Sequence, residues 1–281
     1  MGSVRTSISL QPSRSRLVVT GALTGLLLTL SSPMARPDSS PGIPPRGSAY
    51  MGMGVLAHDG RAFGADVPPT TSRASQAEGV DVASYEGAVD WPTLWSDGTT
   101  WAYTKATEGS SYTNPDFAQQ YDGPYSVGMV RGAYHFATPD SSGGATQADY
   151  FLAHGGGWSA DGKTLPGALD IEWNPYGDDC YGKSKSQMVG WIRDFLNRYK
   201  SRTGRNAVIY TATNWWTECT GDYSGFGDHP LWIARYASSA GTLPSGWSSY
   251  TMWQYTSSGK TVGDHDRFNG STDRLKSFAT G

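Results

Sequence analysis

The sequence predicts an α/β domain that closes into a barrel, and two observations carry that reading. From residue 79 onward short apolar runs alternate with helix-periodic stretches; the runs fall at 79–83, 101–105, 130–136, 165–172, 207–211, 231–235 and 252–255. Strands that alternate with helices imply parallel pairing, because a parallel crossover needs a helix-length connection. The span 79–281 is of the size that one barrel with about seven or eight strands occupies.

The helices are read from spacing and caps. Met188, Trp191, Ile192, Phe195, Leu196 and Tyr199 recur at helical intervals and predict a helix over 184–202. Ser184 with Gln187 forms a capping box at its start, and Gly204 stands where a C-terminal stop is expected. Shorter helices are expected at 114–120, entered by Asn-Pro, at 146–154 and at 272–278. Between 215 and 230, rich in Gly and Asp, the helical pattern fades.

Ahead of the barrel the composition changes. Residues 1–35 begin with Arg5, Arg14 and Arg16, continue with the apolar run LVVTGALTGLLLTL and end in small residues, the three parts of a secretory signal. That apolar run is too short to span a bilayer comfortably, so an exported, extracellular protein without stable membrane association is expected. Residues 36–78 are rich in Pro, Gly, Ser, Ala and Thr and read as a propeptide or flexible linker. A less polar piece at 48–55 (SAYMGMGV) stands out, and the pattern assigns it no role.

Cys180 and Cys219 are an even count in an exported chain, which suggests one disulfide. No Cys/His spacing of the zinc type occurs, so no metal or cofactor is expected. The net charge of −3, with no basic cluster outside the signal, argues against a nucleic-acid partner. The 11 Trp and 16 Tyr offer flat faces suited to sugar rings, although most could equally fill a core.

Chemistry in barrels of this kind collects at strand ends, so polar residues there are the candidates. In LPGALDIEW (165–173), alternation puts Asp170 and Glu172 on one side and Leu169 and Ile171 on the other. Two carboxylates about 7 Å apart repel, and the repulsion raises the pKa of one into the range of a general acid. Asp81 points away from Val80 and Val82, inward or onto one sheet face. Asp264 and Asp266 are placed after the last strand, and Glu108 just past the second. Lys105 and Glu108 read equally well as a surface ion pair. Several carboxylates, no metal and an aromatic cleft are what glycoside hydrolysis asks for.

At these residues the chain resembles the Chalaropsis-type lysozymes of glycoside hydrolase family 25. Eight motifs in order carry the likeness: GVDVASYEG (79–87), WAYTKATEG (101–109), RGAYHF (131–136), LPGALDIEW (165–173), VIYT (208–211), LWIARY (231–236), MWQY (252–255) and GDHDRFNG (263–270). The resemblance implies an irregular TIM-like barrel of five βα units followed by strands with few helices. It implies cleavage of the β-1,4 bond between N-acetylmuramic acid and N-acetylglucosamine in bacterial peptidoglycan. Glu172 is then the proton donor and Asp170 its close partner, with Asp81 and a terminal Asp completing the cluster. The family's spacing to Phe268 selects Asp264, and Asp266 stays the alternative. The likeness also implies a Cys180–Cys219 bridge. Two mechanisms remain open: attack by the substrate's own acetamido group, or by an Asp.

Tyr103, Lys105, Tyr134, Tyr210, Trp253 and Gln254 are the expected sugar contacts, each with a plain reading as barrel filling. His135 reads as a satisfied core histidine rather than a base. A monomer is expected. Competing functions are a catalytically inactive glycan-binding barrel, a retaining hydrolase of chitin, and an amidase; the last lacks its zinc site or Cys/His pair.

Overall fold

A computed structural model describes residues 43–60 and 76–281. The expected export signal, residues 1–35, lies outside the described residues. Nine strands build one sheet in the order β1-β9-β8-β7-β6-β5-β4-β2-β3, and a further β1–β2 pairing closes it, leaving β3 outside the ring. The strands are β1 (Ala77–Val82), β2 (Trp101–Glu108), β3 (Tyr112–Thr113), β4 (Val130–Phe136), β5 (Ala168–Asp170), β6 (Val208–Thr211), β7 (Leu231–Ala234), β8 (Met252–Thr256) and β9 (Asp264–Phe268). All ring pairings are parallel except those of β9, which runs antiparallel to both neighbours.

The helices are α1 (Met53–His58), α2 (Trp91–Ser96), α3 (Phe117–Ser126), α4 (Gly144–Ala153), α5 (Lys185–Thr203), α6 (Thr213–Thr220) and α7 (Thr272–Thr280). One helix of α2–α6 follows each of β1, β2, β4, β5 and β6, and none separates β7, β8 and β9. The expected five βα units are therefore present. α5 starts at the Ser184–Gln187 capping box, in which each side chain bonds the other's backbone N–H, and ends at Gly204. Its apolar face, from Met188 to Tyr199, is buried, and Phe195 stacks near Phe151 of α4.

Three expectations need correction, and one helix was not foreseen. Asp264 and Asp266 lie on a strand of their own, β9, because a short polar β-run lacks the apolar signature of the others. Helix α6 occupies the start of the 215–230 region, its Trp215, Trp216 and Cys219 buried against the barrel. The α2 helix, not among the expected ones, starts at Asp90, whose side chain accepts from the Thr93 N–H, with Pro92 in its first turn. Residues 43–60, read as linker, are seated against the barrel, with Ala49, Met51 and Val55 buried.

The barrel interior is filled mainly by rings. Trp101, Tyr103, Tyr210 and Trp232 pack with centroids 4.9–6.1 Å apart in mostly edge-to-face arrangements, as ring quadrupoles favour. This layer forms the floor on which the polar residues stand. Cys180 and Cys219 are bonded and tie the loop after β5 to α6.

Candidate active site

The carboxylates converge because their strands all deliver side chains to the same inner face. Asp81 and Asp264 are direct partners in the β1–β9 register. Gln254, on β8, joins them: its Nε2 donates to Asp81 at 2.8 Å and to Asp264 at 3.3 Å. Its Oε1 accepts from the Tyr210 hydroxyl at 2.6 Å and from the Tyr236 hydroxyl at 3.0 Å. The Tyr236 hydroxyl also lies 3.3 Å from Asp264 Oδ2. One buried amide thus holds two acids and two phenols in fixed relation.

Asp170 ends β5, and Glu172 follows two residues later on the same side. Both are buried. Burial raises the Glu172 pKa to about 8, opposed by the backbone N–H groups of Gly52 and Gly54 and helped by the charge of Asp264. Burial also holds Asp170 well above the usual carboxylate range, with Glu172 and then Asp81 adding repulsion. Mutual repulsion, the cause read from the spacing, is therefore second to desolvation at Asp170. Among the described residues neither Asp170 oxygen has a hydrogen-bond partner. Asp81 is raised to about 8, again chiefly by burial and against the donation from Gln254.

Asp266 lies on the same inner face as Asp264 but accepts from the Trp232 indole at 2.9 Å, among the ring layer. Burial and the neighbouring Asp81 hold it far above the carboxylate range. Asp264 stands with Tyr236 and Gln254, while Asp266 belongs to the floor.

Lys105 and Glu108 are not a surface pair. They are buried, 2.7 Å apart. A register shift between Lys105 and Thr107 brings this about: Lys105 pairs with Tyr134, and Glu108 with Phe136, so both face inward. The residues between them face out, where Thr107 bonds the His135 Nδ1. His135 is buried against Phe151 and Phe195, its Nε2 on Gln147, and burial lowers its pKa to about 4. It has the place expected of a satisfied core histidine.

Of the six expected sugar contacts, Lys105, Tyr134, Tyr210 and Gln254 line the inner face beside the acids. Tyr103 does not reach the groove; its hydroxyl donates to the Pro166 carbonyl at 2.7 Å, before β5 begins, and the ring fills the barrel. Trp253 packs with Leu231, Ile233 and Tyr255 on the other face of the sheet from Gln254, its indole on the Arg235 carbonyl. Adjacent strand residues cannot both face inward, so of the expected pair Gln254 faces the acids and Trp253 the outer side. Sequence reasoning missed Tyr236, Tyr176 and Trp173. Tyr176 donates to Glu108 at 2.7 Å, and Trp173 adjoins Glu172. All but Tyr176 sit inside quoted motifs, so the signal was present but unassigned.

No cluster of His, Cys, Asp and Glu suited to a metal occurs among the described residues. Nor is any described helix long and apolar enough to cross a membrane.

The model of "Glycosyl hydrolases family 25" matches residues 80–264. The chain belongs to this family. One relative extends the likeness beyond the barrel. Lysozyme M1 of Streptomyces globisporus is 43% identical over 289 residues, covering 97% of both chains. The N,O-diacetylmuramidase of Chalaropsis sp is 46% identical over 209 residues, 73% of this chain and 99% of that one. The crystal structure of the lysozyme from Streptomyces coelicolor superposes with a TM-score of 0.71 at 47% identity, covering 74% of this chain and 98% of that chain. This family 25 chain is accordingly a glycoside hydrolase on a TIM-like barrel.

Proposed function

We propose that the protein is a secreted lysozyme that hydrolyses the β-1,4 bond between N-acetylmuramic acid and N-acetylglucosamine in peptidoglycan. The observation that carries this reading is Glu172: a buried carboxyl, its pKa raised to about 8, beside Asp170, Asp81 and Asp264. An acid of that pKa still holds its proton at neutral pH and can deliver it to the leaving glycosidic oxygen. Asp264, held to Asp81 through the Gln254 amide, lies where negative charge stabilises the oxocarbenium-like centre. The relatives named lysozyme and muramidase support the choice of bond.

Asp170 is assigned to the substrate's acetamido group. Its two buried oxygens without partners suit accepting that N–H, which directs the acetamido carbonyl oxygen onto the anomeric carbon. The C–O bond to the leaving sugar breaks as Glu172 protonates it, and water, deprotonated by Glu172, then opens the cyclic intermediate. Peptidoglycan with de-N-acetylated muramic acid should resist hydrolysis; undiminished cleavage would favour direct attack by an Asp.

The test of the whole reading is digestion of peptidoglycan by wild type and Glu172→Gln, with reducing ends identified by mass spectrometry after borohydride reduction. Muramitol ends and a loss of roughly 100-fold or more in the variant are expected. Ends that were all N-acetylglucosaminitol would reject the muramidase assignment.

A further inference from the structure

The groove just described already has an occupant, and it is part of the same chain. Residues 47–58 lie across the acids, bound almost wholly through main-chain groups. The N–H of Gly52 donates to Glu172 Oε1 at 2.6 Å and that of Gly54 to Oε2 at 3.1 Å, so both oxygens of the proposed acid are taken. The Gly47 N–H donates to Glu108 at 2.8 Å, while Lys105 Nζ donates to the carbonyls of Gly47 and Ala49. The N–H groups of Ala49 and Met51 donate to the hydroxyls of Tyr176 and Tyr134. Gln254 Nε2 and the Tyr236 hydroxyl each lie 3.4 Å from a carbonyl oxygen of the segment, those of Met51 and Gly52.

Stacking completes the fit. The His58 ring lies on Trp173 with centroids 4.1 Å apart and planes within 7°. A flat ring on an indole beside the acid is how a sugar would be held. The Trp173 Nε1, buried under this cover, has no partner among the described residues. Arg46 anchors the entry to Asp140 and Asp59 the exit to Asn214.

The segment's composition explains how it gets so close. A Cβ on Gly52 would lie 2.1 Å from the Tyr236 hydroxyl, and one on Gly54 would lie 2.4 Å from the Trp173 Cβ. Gly52 also has φ of 85°, a conformation that L side chains avoid. The two glycines of Met-Gly-Met-Gly are what lets the backbone reach Glu172.

We propose that residues 47–58 are a built-in inhibitor, and that the uncut chain cannot admit glycan until this segment leaves the groove. The inference rests on the reading of Glu172 as the proton donor. A covalent tether holds such a segment at an effective concentration on the order of millimolar. A free peptide with a Kd of about 10 μM would therefore silence the tethered enzyme about 100-fold. Hydrolysis by an endopeptidase of any peptide bond between residues 60 and 76, consuming one water, would turn the inhibitor into a dissociable peptide.

The test compares the full chain, carrying a specific protease site within 61–75, before cutting, after cutting, and after cutting and gel filtration. Peptidoglycan clearance should rise about 100-fold once the segment is separated, and added peptide 43–60 should restore inhibition competitively. Gly52→Val and Gly54→Val, in chains left uncut, should raise clearance at least tenfold, because neither residue belongs to the barrel. Equal rates for uncut and separated enzyme, with both Gly variants unchanged, would overturn the proposal. If no form hydrolyses peptidoglycan, the lysozyme reading falls instead, and the inhibitor is judged by titrating peptide 43–60 into the separated barrel with tryptophan fluorescence. Absence of binding there would overturn it as well.

Discussion

Replacing Lys105 by Met removes the positive half of a pair from which water is excluded. The side chains of Lys105 and Glu108 are 0% and 2% exposed, and 2.7 Å apart. Breaking a buried pair by removing one partner generally costs about 3–5 kcal/mol, since the remaining charge is left uncompensated. Glu108 would keep two donors, the Gly47 N–H and the Tyr176 hydroxyl, which places the expected cost near the lower end, about 3 kcal/mol. In a domain of this size each kcal/mol moves Tm by about 2–4 °C, so a fall of roughly 6–12 °C is expected. Adding Glu108→Gln removes the stranded charge while keeping an acceptor for both donors. The double variant should recover about 2 kcal/mol, measured as a coupling energy by urea denaturation of the two single variants and the double. A Lys105→Met cost below about 1 kcal/mol, or a double variant as unstable as the sum of the singles, would refute the treatment of this pair as buried and interdependent.

Three further outcomes follow from the same geometry. Asp264→Asn should lower the initial rate on peptidoglycan by at least about 100-fold, whereas Asp266→Asn, in the ring layer on the Trp232 indole, should stay within about tenfold; the reverse order would exchange their roles. His135, with a folded pKa of about 4 against an unfolded value near 6.5, is neutral in the fold while the unfolded chain gains a proton. Its contribution is thus present above pH 6.5 and lost as pH falls through 4, by roughly 3 kcal/mol in full; His135→Gln should abolish that difference in urea titrations at pH 7 and pH 4, and an unchanged pH slope would contradict it. The Cys180–Cys219 bond closes a separation of 39 residues, so the Cys180→Ala/Cys219→Ala double variant should lose about 4 kcal/mol, and a loss near zero would count against constraint of the unfolded chain.

Much of the barrel was readable because each β-run carries its own apolar signature and each helix its own period. Val130–Phe136 matches its expected bounds, and the Ser184 and Gly204 limits of α5 follow from cap chemistry alone. β9 was not readable that way: Asp-His-Asp-Arg-Phe becomes a strand only because β1 and β8 stand on either side with unpaired edges. Within the site, alternation on β8 made Gln254 and Trp253 exclusive choices, and the burial of Lys105 depends on a register shift that no residue pattern announces. Tyr103 shows the converse limit. It faces inward as expected, but depth within the barrel depends on strand stagger, which a single sequence does not reveal. The Ser48–Val55 piece was visible as an anomaly of composition, yet its binding partners are drawn from β2, β4, β8 and the loops after β5 and β7.

Closure of the ring has a consequence for timing. β1 pairs with β9, and Glu78 meets Arg267 across 189 residues of sequence, so the groove has no complete wall until the last strand has arrived. Contacts of such long range form late in folding. The segment with Gly52 and Gly54, by contrast, precedes every strand in the chain and is present before any of them. In a chain built in this order the segment proposed as inhibitor already exists when the groove it fills first comes into being.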